Sequence, residues 1–331
     1  MSGDRWERDV DDLRRRTVPD RRLGVFEVRV TSGALRGATS SADALAGLRR
    51  LAAARGLASD VRLLPAVEPA TAVGVVTAAI APLVGAPDPA GERVSELLHG
   101  ERFDVLERED GWLRVRAPDR YVAWLHQGYA RLGSREWADD WEGRATVRLI
   151  GATLVSGDRR RPLPTGARLA PRARGGLETA DGEIGDTVAG EVRSDGEFRA
   201  QARLVAAPEL ALRWFGGAPY LWGGRSDWGM DCSGLVQTVW TARGVPLLRD
   251  AAQQMGQGRE IPVSADGAGY QSGDLLFFAS GGRVSHVALW AGAGRIVHAS
   301  LARGGVASED LRDAGRAGRM ELAAVRRPEA E

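Results

Sequence analysis

Residues 229–240 read Gly-Met-Asp-Cys-Ser-Gly-Leu-Val-Gln-Thr-Val-Trp and hold the only cysteine among 331 residues, Cys232. Leu235, Val236, Val239 and Trp240 recur at helical spacing, so a helix that Cys232 opens is expected. A thiol on a first helical turn meets unpaired backbone N–H groups and the positive end of the macrodipole. Both favour the thiolate, which is the nucleophile. With one cysteine, no disulfide within the chain is possible. A lone cysteine also reads as a small core hydrophobe. Against that, Asp231, Ser233 and Gly234 are the residues of a tight, exposed helix entry rather than of an apolar core.

Further along the chain, Ser285-His-Val-Ala-Leu-Trp and Arg295-Ile-Val-His read as neighbouring strands. Strand alternation puts His286, Ala288 and Trp290 on one face and Val287 and Leu289 on the core side. A thiol at a helix start with two strand histidines, His286 and His298, meets the demand of a thiol protease: one base and one orienting group. A strand histidine is also an ordinary hydrogen-bonded structural residue. One Cys and two His can bind zinc, but the closely paired ligand spacing is missing.

The rest of the chain divides by its grammar. Residues 1–68 combine strand-like Leu23–Val30, a helix from Ser40 or Ser41 to about Arg55, and strand-like Val61–Leu64, a small βαβ-like module placed to pack on the barrels. Residues 69–133 show short β-runs (Phe103–Leu106, Trp112–Val115, Tyr121–Leu125) broken by Glu-Asp-Gly and Pro-Asp turns, the pattern of a small β-barrel. Residues 140–205 repeat that style in Val147–Ile150 and Ala167–Leu169. Residues 206–331 place helices first and strands after, an α+β arrangement. Net charge is +1, which points to neither nucleic acid nor a membrane surface. No apolar run spans a bilayer, and the charged first 22 residues lack the apolar core of a secretory signal. A free thiol without an export signal leads to a cytoplasmic expectation.

Five segments in order, Ala218-Pro-Tyr-Leu-Trp-Gly-Gly-Arg-Ser, Gly-Met-Asp-Cys-Ser-Gly-Leu-Val-Gln, Ser-Gly-Asp-Leu-Leu-Phe-Phe, Ser-His-Val-Ala-Leu-Trp and Ile-Val-His-Ala-Ser, resemble the NlpC-type cell-wall cysteine peptidases over about residues 206–326. The resemblance implies a papain-like catalytic domain that cuts the γ-D-glutamyl to diamino-acid bond of peptidoglycan stem peptides, without metal or cofactor. It implies Cys232 as nucleophile, His286 as base, His298 as orienting member and Tyr220 near the oxyanion, with Asp231, Ser233 and Ser285 lining the cleft. Glu92-Arg-Val-Ser-Glu-Leu-Leu-His-Gly-Glu, Asp-Gly-Trp-Leu-Arg-Val and Asp-Arg-Tyr-Val-Ala-Trp resemble the SH3-like domain of the YkfC-like murein-peptide recycling enzymes. That likeness implies two SH3-like barrels ahead of the catalytic domain. It also implies that Glu92, with Glu96 competing, joins Tyr121 and Asp231 to hold the free amine of an N-terminal L-alanine. An ammonium taken out of water needs such acceptors and opposite charge. Two departures stand out. Ala251-Ala252 follows Arg249-Asp250 where the subfamily often has serine, and Glu96 stands where glutamine is common, adding negative charge near the cleft.

The expectation is therefore a monomeric cysteine peptidase whose partner is a murein stem peptide, L-Ala-γ-D-Glu-diamino acid. Its alternatives are a secreted hydrolase of intact wall, a wall-peptide binder without catalysis, and an acyltransferase on the same core.

Overall fold

Asp110 and Gly111 both take positive φ, 44° and 83°, and turn one strand tightly back on the next, as an Asp-Gly hairpin requires. Local rules of this kind build most of the molecule. The computed structural model describes residues 3–264, 266–318 and 320–329. At the N-terminus, α1 (Gly3–Thr17) precedes β1 (Phe26–Thr31), β2 (Ala34–Thr39), α2 (Ala42–Ala53) and β3 (Ala58–Leu63). Strands β2 and β3 pair in parallel with α2 as their crossover. Helix α2 starts at the expected cap, Ser41, whose hydroxyl accepts the Ala44 N–H at 3.1 Å. Helix α1 is not legible from periodicity because charges crowd it. Its apolar stripe is only Trp6, Val10 and Leu13, which pack against α2, while Arg14–Asp11 and Arg15–Asp12 pairs decorate the outside.

The next body is one antiparallel sheet of seven strands: β4 (Val73–Val76), β5 (Ile80–Val84), β6 (Arg93–Leu98), β7 (Arg102–Glu109), β8 (Trp112–Arg116), β9 (Val122–His126) and β10 (Ala130–Gly133). Its interior is filled by Leu83, Phe103, Leu113, Val115 and Leu125. Helix α3 (Arg135–Arg144) leads to β11 (Val147–Ser156), β12 (Arg159–Leu163), β13 (Arg168–Pro171), β14 (Leu177–Glu178) and β15 (Ile184–Ser194). There β11 pairs with β12, β13 and β15, so the second small sheet closes on itself.

The C-terminal body begins with α4 (Asp195–Arg203) and α5 (Ala207–Phe215), followed by the short β16 (Arg225–Ser226) and β17 (Gly229–Met230). Next come α6 (Cys232–Ala242), α7 (Ala251–Gln254), β18 (Arg259–Ile261), β19 (Leu275–Ser280), β20 (Arg283–Gly292), β21 (Arg295–Ser300), β22 (Gly305–Asp310), α8 (Leu311–Gly318) and β23 (Glu321–Arg327). The sheet order is β18-β23-β19-β20-β21-β22. Val287, Leu289 and Val297 pack with α4, α5 and α6; Ala288, Trp290 and Ile296 belong to a second cluster. The alternation expected along His286–Trp290 is thus present. Phe198 and Ala202 already belong to this body's core, so it starts at α4, ahead of the residue-206 boundary drawn from the sequence.

The bodies are joined by hydrogen bonds and by a small shared core. The Val122 N–H donates to the Arg22 carbonyl at 2.6 Å, and Val25, Leu64, Leu106 and Val122 share a small core between the first two bodies. Gln253 of α7 donates to Asp20 at 2.7 Å, and the Arg225 N–H donates to Glu96 at 2.9 Å. Among the described residues no helix is long and apolar enough to cross a membrane.

Candidate active site

Helix α6 begins at Cys232 because Asp231 caps it, accepting the Gly234 N–H at 2.7 Å. Gly234 must lack a side chain, since a Cβ there would lie 2.1 Å from the Gly224 carbonyl oxygen. The cap is locked from behind. Arg249, 1% exposed, donates to both Asp231 oxygens at 3.0 and 2.7 Å, and also to Ser233 Oγ, Ser95 Oγ and the Gly224 carbonyl. Asp231 further accepts the Gly223 N–H at 2.9 Å and the Ser233 hydroxyl at 3.2 Å. Both of its oxygens are therefore engaged and its charge is matched.

Cys232 is buried, and burial, aided by the neighbouring Asp231 charge, pushes its thiol up to about 12. The N–H groups of Val287 and Ser233 and the Arg249 charge act the other way and lose. Burial thus outweighs the help that the helix start gives the thiolate. The dipole acts within one turn, whereas desolvation penalises the whole charge. The bond from the Val287 N–H places the sulfur beside the residue that succeeds His286.

A chain of three polar side chains, two histidines and a glutamate, steps across three strands. His286 on β20 meets His298 on β21, Nε2 to Nδ1, at 2.8 Å. His298 Nε2 lies 2.8 Å from Glu309 Oε1 on β22, in contact though off an ideal hydrogen-bond line. Glu309 stands diagonally from His298, whose partner in register is Ala307. Burial holds both imidazoles down to about 4, so both are neutral near pH 7. Tyr220 is joined to Gly304 by its backbone, and its hydroxyl is pushed up to about 12 by burial and by the charges that Cys232 and Asp231 can carry. It therefore keeps its proton near pH 7, though Tyr220 is not part of the wall of the cavity at the sulfur.

The sulfur opens onto a cavity of about 260 Å³. Glu92, Tyr121, Asp231, Cys232, Ser233 and Ser285 all line it, with Arg22, Trp222 and Asp250, which the sequence did not single out. Three bodies thus contribute to one cleft. The Tyr121 hydroxyl donates to Asp250 at 3.2 and 3.3 Å. Burial raises the Asp250 carboxyl, with Arg249 and Arg22 opposing. The Arg22 guanidinium lies 5.7 Å from the Tyr121 ring centre. Glu92 accepts the Trp222 indole N–H at 3.0 Å. Glu96, by contrast, is 1% exposed, bonded to Arg93 and the Arg225 N–H, and absent from the cavity wall. It is a strut between bodies, which corrects the reading that it adds charge near the cleft. Asp250 was legible only as a neighbour of the two alanines, and Glu309 carried no local signal.

Known proteins share both the fold and the motifs around this thiol. Residues 217–324 match the NlpC/P60 family, and residues 83–128 match the bacterial dipeptidyl-peptidase Sh3 domain. Dipeptidyl-peptidase 6 of Lysinibacillus sphaericus is 30% identical over 261 residues, 69% of this chain and 87% of that protein. The gamma-D-glutamyl-L-lysine dipeptidyl-peptidase of Bacillus subtilis is 41% identical over 87 residues, but the match spans 25% of this chain and only 28% of that protein. An NlpC/P60 family protein from Bacillus cereus has the same fold, with a TM-score of 0.65 at 21% identity over 77% of this chain and 99% of its own.

Proposed function

The chain belongs to the NlpC/P60 family of cysteine peptidases, whose relatives act on peptidoglycan peptides, and from that premise we propose that it cleaves free murein stem peptides between γ-D-glutamate and the diamino acid. The observation that carries the reading is the lining of the cleft. Glu92, Tyr121 and Asp250 gather two carboxylates and a phenol within reach of the sulfur's cavity. Carboxylates in a part-buried wall suit a single ammonium, here the amine of an N-terminal L-alanine. Asp231 is read as the cap that positions Cys232 rather than as an amine ligand, because its oxygens are already taken by Arg249, Gly223, Ser233 and Gly234.

The chemistry starts from the resting state. His286 takes the Cys232 proton as the sulfur attacks the γ-glutamyl carbonyl, forming a C–S bond. Tyr220 donates to the developing oxyanion. Collapse breaks the C–N bond, and His286 returns the proton to the leaving amine. Water, activated by the same imidazole, then cleaves the thioester, releases L-Ala-D-Glu and restores the thiol. A neutral thiol and a neutral imidazole are the forms from which this sequence of steps begins.

The test compares L-Ala-γ-D-Glu-diaminopimelate with its N-acetylated form. Cleavage of the free-amine peptide alone is expected. Equal cleavage of both would overturn the amine site. Release of peptides from intact sacculi would favour a wall hydrolase, the activity named for the RipB endopeptidase of Mycobacterium tuberculosis, 36% identical over 133 residues, 35% of this chain and 52% of that protein.

A further inference from the structure

The contact between the two histidines sets their protons as well as their positions. His286 Nε2 and His298 Nδ1 share one hydrogen bond, and His298 Nε2 faces Glu309. The second oxygen of Glu309 accepts Arg303 Nε at 2.5 Å. His298 and Glu309 are 2% and 6% exposed, so bulk water is a poor substitute for these partners. A carboxylate can only accept, so it calls for a proton on His298 Nε2. A neutral imidazole carries a single N–H, which leaves His298 Nδ1 bare and accepting. His286 must then donate from Nε2, and its other nitrogen, Nδ1, keeps a free lone pair. That is the form a base for a thiol must have.

Building on the reading of Cys232 and His286 as the reacting pair, we propose that Glu309 is a positioning residue that, through His298, holds His286 in the tautomer whose Nδ1 is basic, and that Arg303 makes a carboxylate necessary there. With glutamine at 309, the amide oxygen would be drawn to the Arg303 donor, and its NH₂ would face His298. His298 Nε2 would then accept, every proton along the chain would reverse, and His286 Nδ1 would carry hydrogen. No proton is lost or gained in that exchange; each N–H moves to the opposite nitrogen of its ring.

The test has two readouts. In E309Q, kcat is expected to fall on the order of 10²- to 10⁴-fold, as a wrongly set catalytic tautomer does in related chemistry, with KM within about threefold. Adding R303M frees the amide to turn its oxygen to His298 and should recover at least tenfold of the loss. Independently of activity, ¹⁵N-histidine NMR of the Cys232→Ala protein should show His286 and His298 protonated on Nε2, and on Nδ1 once E309Q is added. E309Q retaining more than half of kcat, or histidine tautomers unchanged by it, would overturn the proposal. Should E309Q fail to fold, an Nδ1 proton on His286 in the parent protein does the same. A protein that cleaves no stem peptide would sink the proposed function, while the spectra still decide the tautomer.

Discussion

The two ends of the cleft are built on opposite plans. At the catalytic end, closely packed groups back the sulfur: a protonated thiol, two neutral imidazoles held down to about 4, and a carboxylate buried behind them. All of it comes from one helix start and three adjacent strands of a single body. At the recognition end, Arg22 comes from the N-terminal module, Glu92 and Tyr121 from the seven-stranded body, and Trp222 and Asp250 from the C-terminal body. Charges there are many and partly wet. The difference teaches a division of labour: proton transfer is set by close neighbours in one sheet, whereas the choice of peptide is set by how separate bodies dock.

Substitutions can break that contrast, beginning with the largest effect. Cys232→Ala should abolish release of L-Ala-D-Glu, a loss on the order of 10⁴-fold or more, read by chromatography of the products; residual turnover near wild type would remove the catalytic end altogether. Iodoacetamide should alkylate Cys232 at least about 100-fold more slowly than free cysteine at pH 7.5, and the rate should keep rising through pH 10. The chain has no other thiol, so the count of label is direct. A plateau between pH 5 and 7 would reveal a preformed thiolate and contradict the raised thiol at the catalytic end.

Weaker effects sharpen the recognition end and the frame. Asp250→Asn should raise KM for the free-amine peptide about 10- to 100-fold, the weight of a charge-assisted hydrogen bond, and narrow the preference over the N-acetyl peptide. A change in kcat alone would place Asp250 with the proton chemistry instead. The last effect lies away from the cleft and concerns acid stability. His99 is buried, its Nε2 accepting the Ala180 N–H, and burial holds it down to about 4. The unfolded chain binds its proton near pH 6.5, the folded chain not until about 4, so stability is complete above 6.5 and drains as pH falls toward 4. His99 alone contributes on the order of 3 kcal/mol across that window. Urea midpoints of His99→Gln should fall less steeply with acid than those of the parent chain.

The barrel strands were readable because turns and alternation are local: Trp112–Val115 lies within β8, and Glu-Asp-Gly is its hairpin turn. The thiol's place at the head of a helix came from spacing alone. Its ionisation did not, because a pKa reports everything packed around a group, and no periodicity announces that Arg249 will be buried against Asp231. Glu96 misled for the same reason. Its position four residues from Glu92 on a strand says nothing of which one the C-terminal body covers.

By itself the sequence determined the helix that Cys232 opens, the strands that carry His286 and His298, and the order of the bodies, since propensity, turn chemistry and periodicity act over a few residues. Only the tertiary structure decided that Glu309 stands behind His298, that Arg249 occupies Asp231, and that Arg22, Glu92, Tyr121 and Asp250 meet at one cavity. Those meetings join residues as far apart as 228 positions, from Arg22 to Asp250. What such groups do depends on desolvation and on charges brought near in space, which no short window of sequence contains.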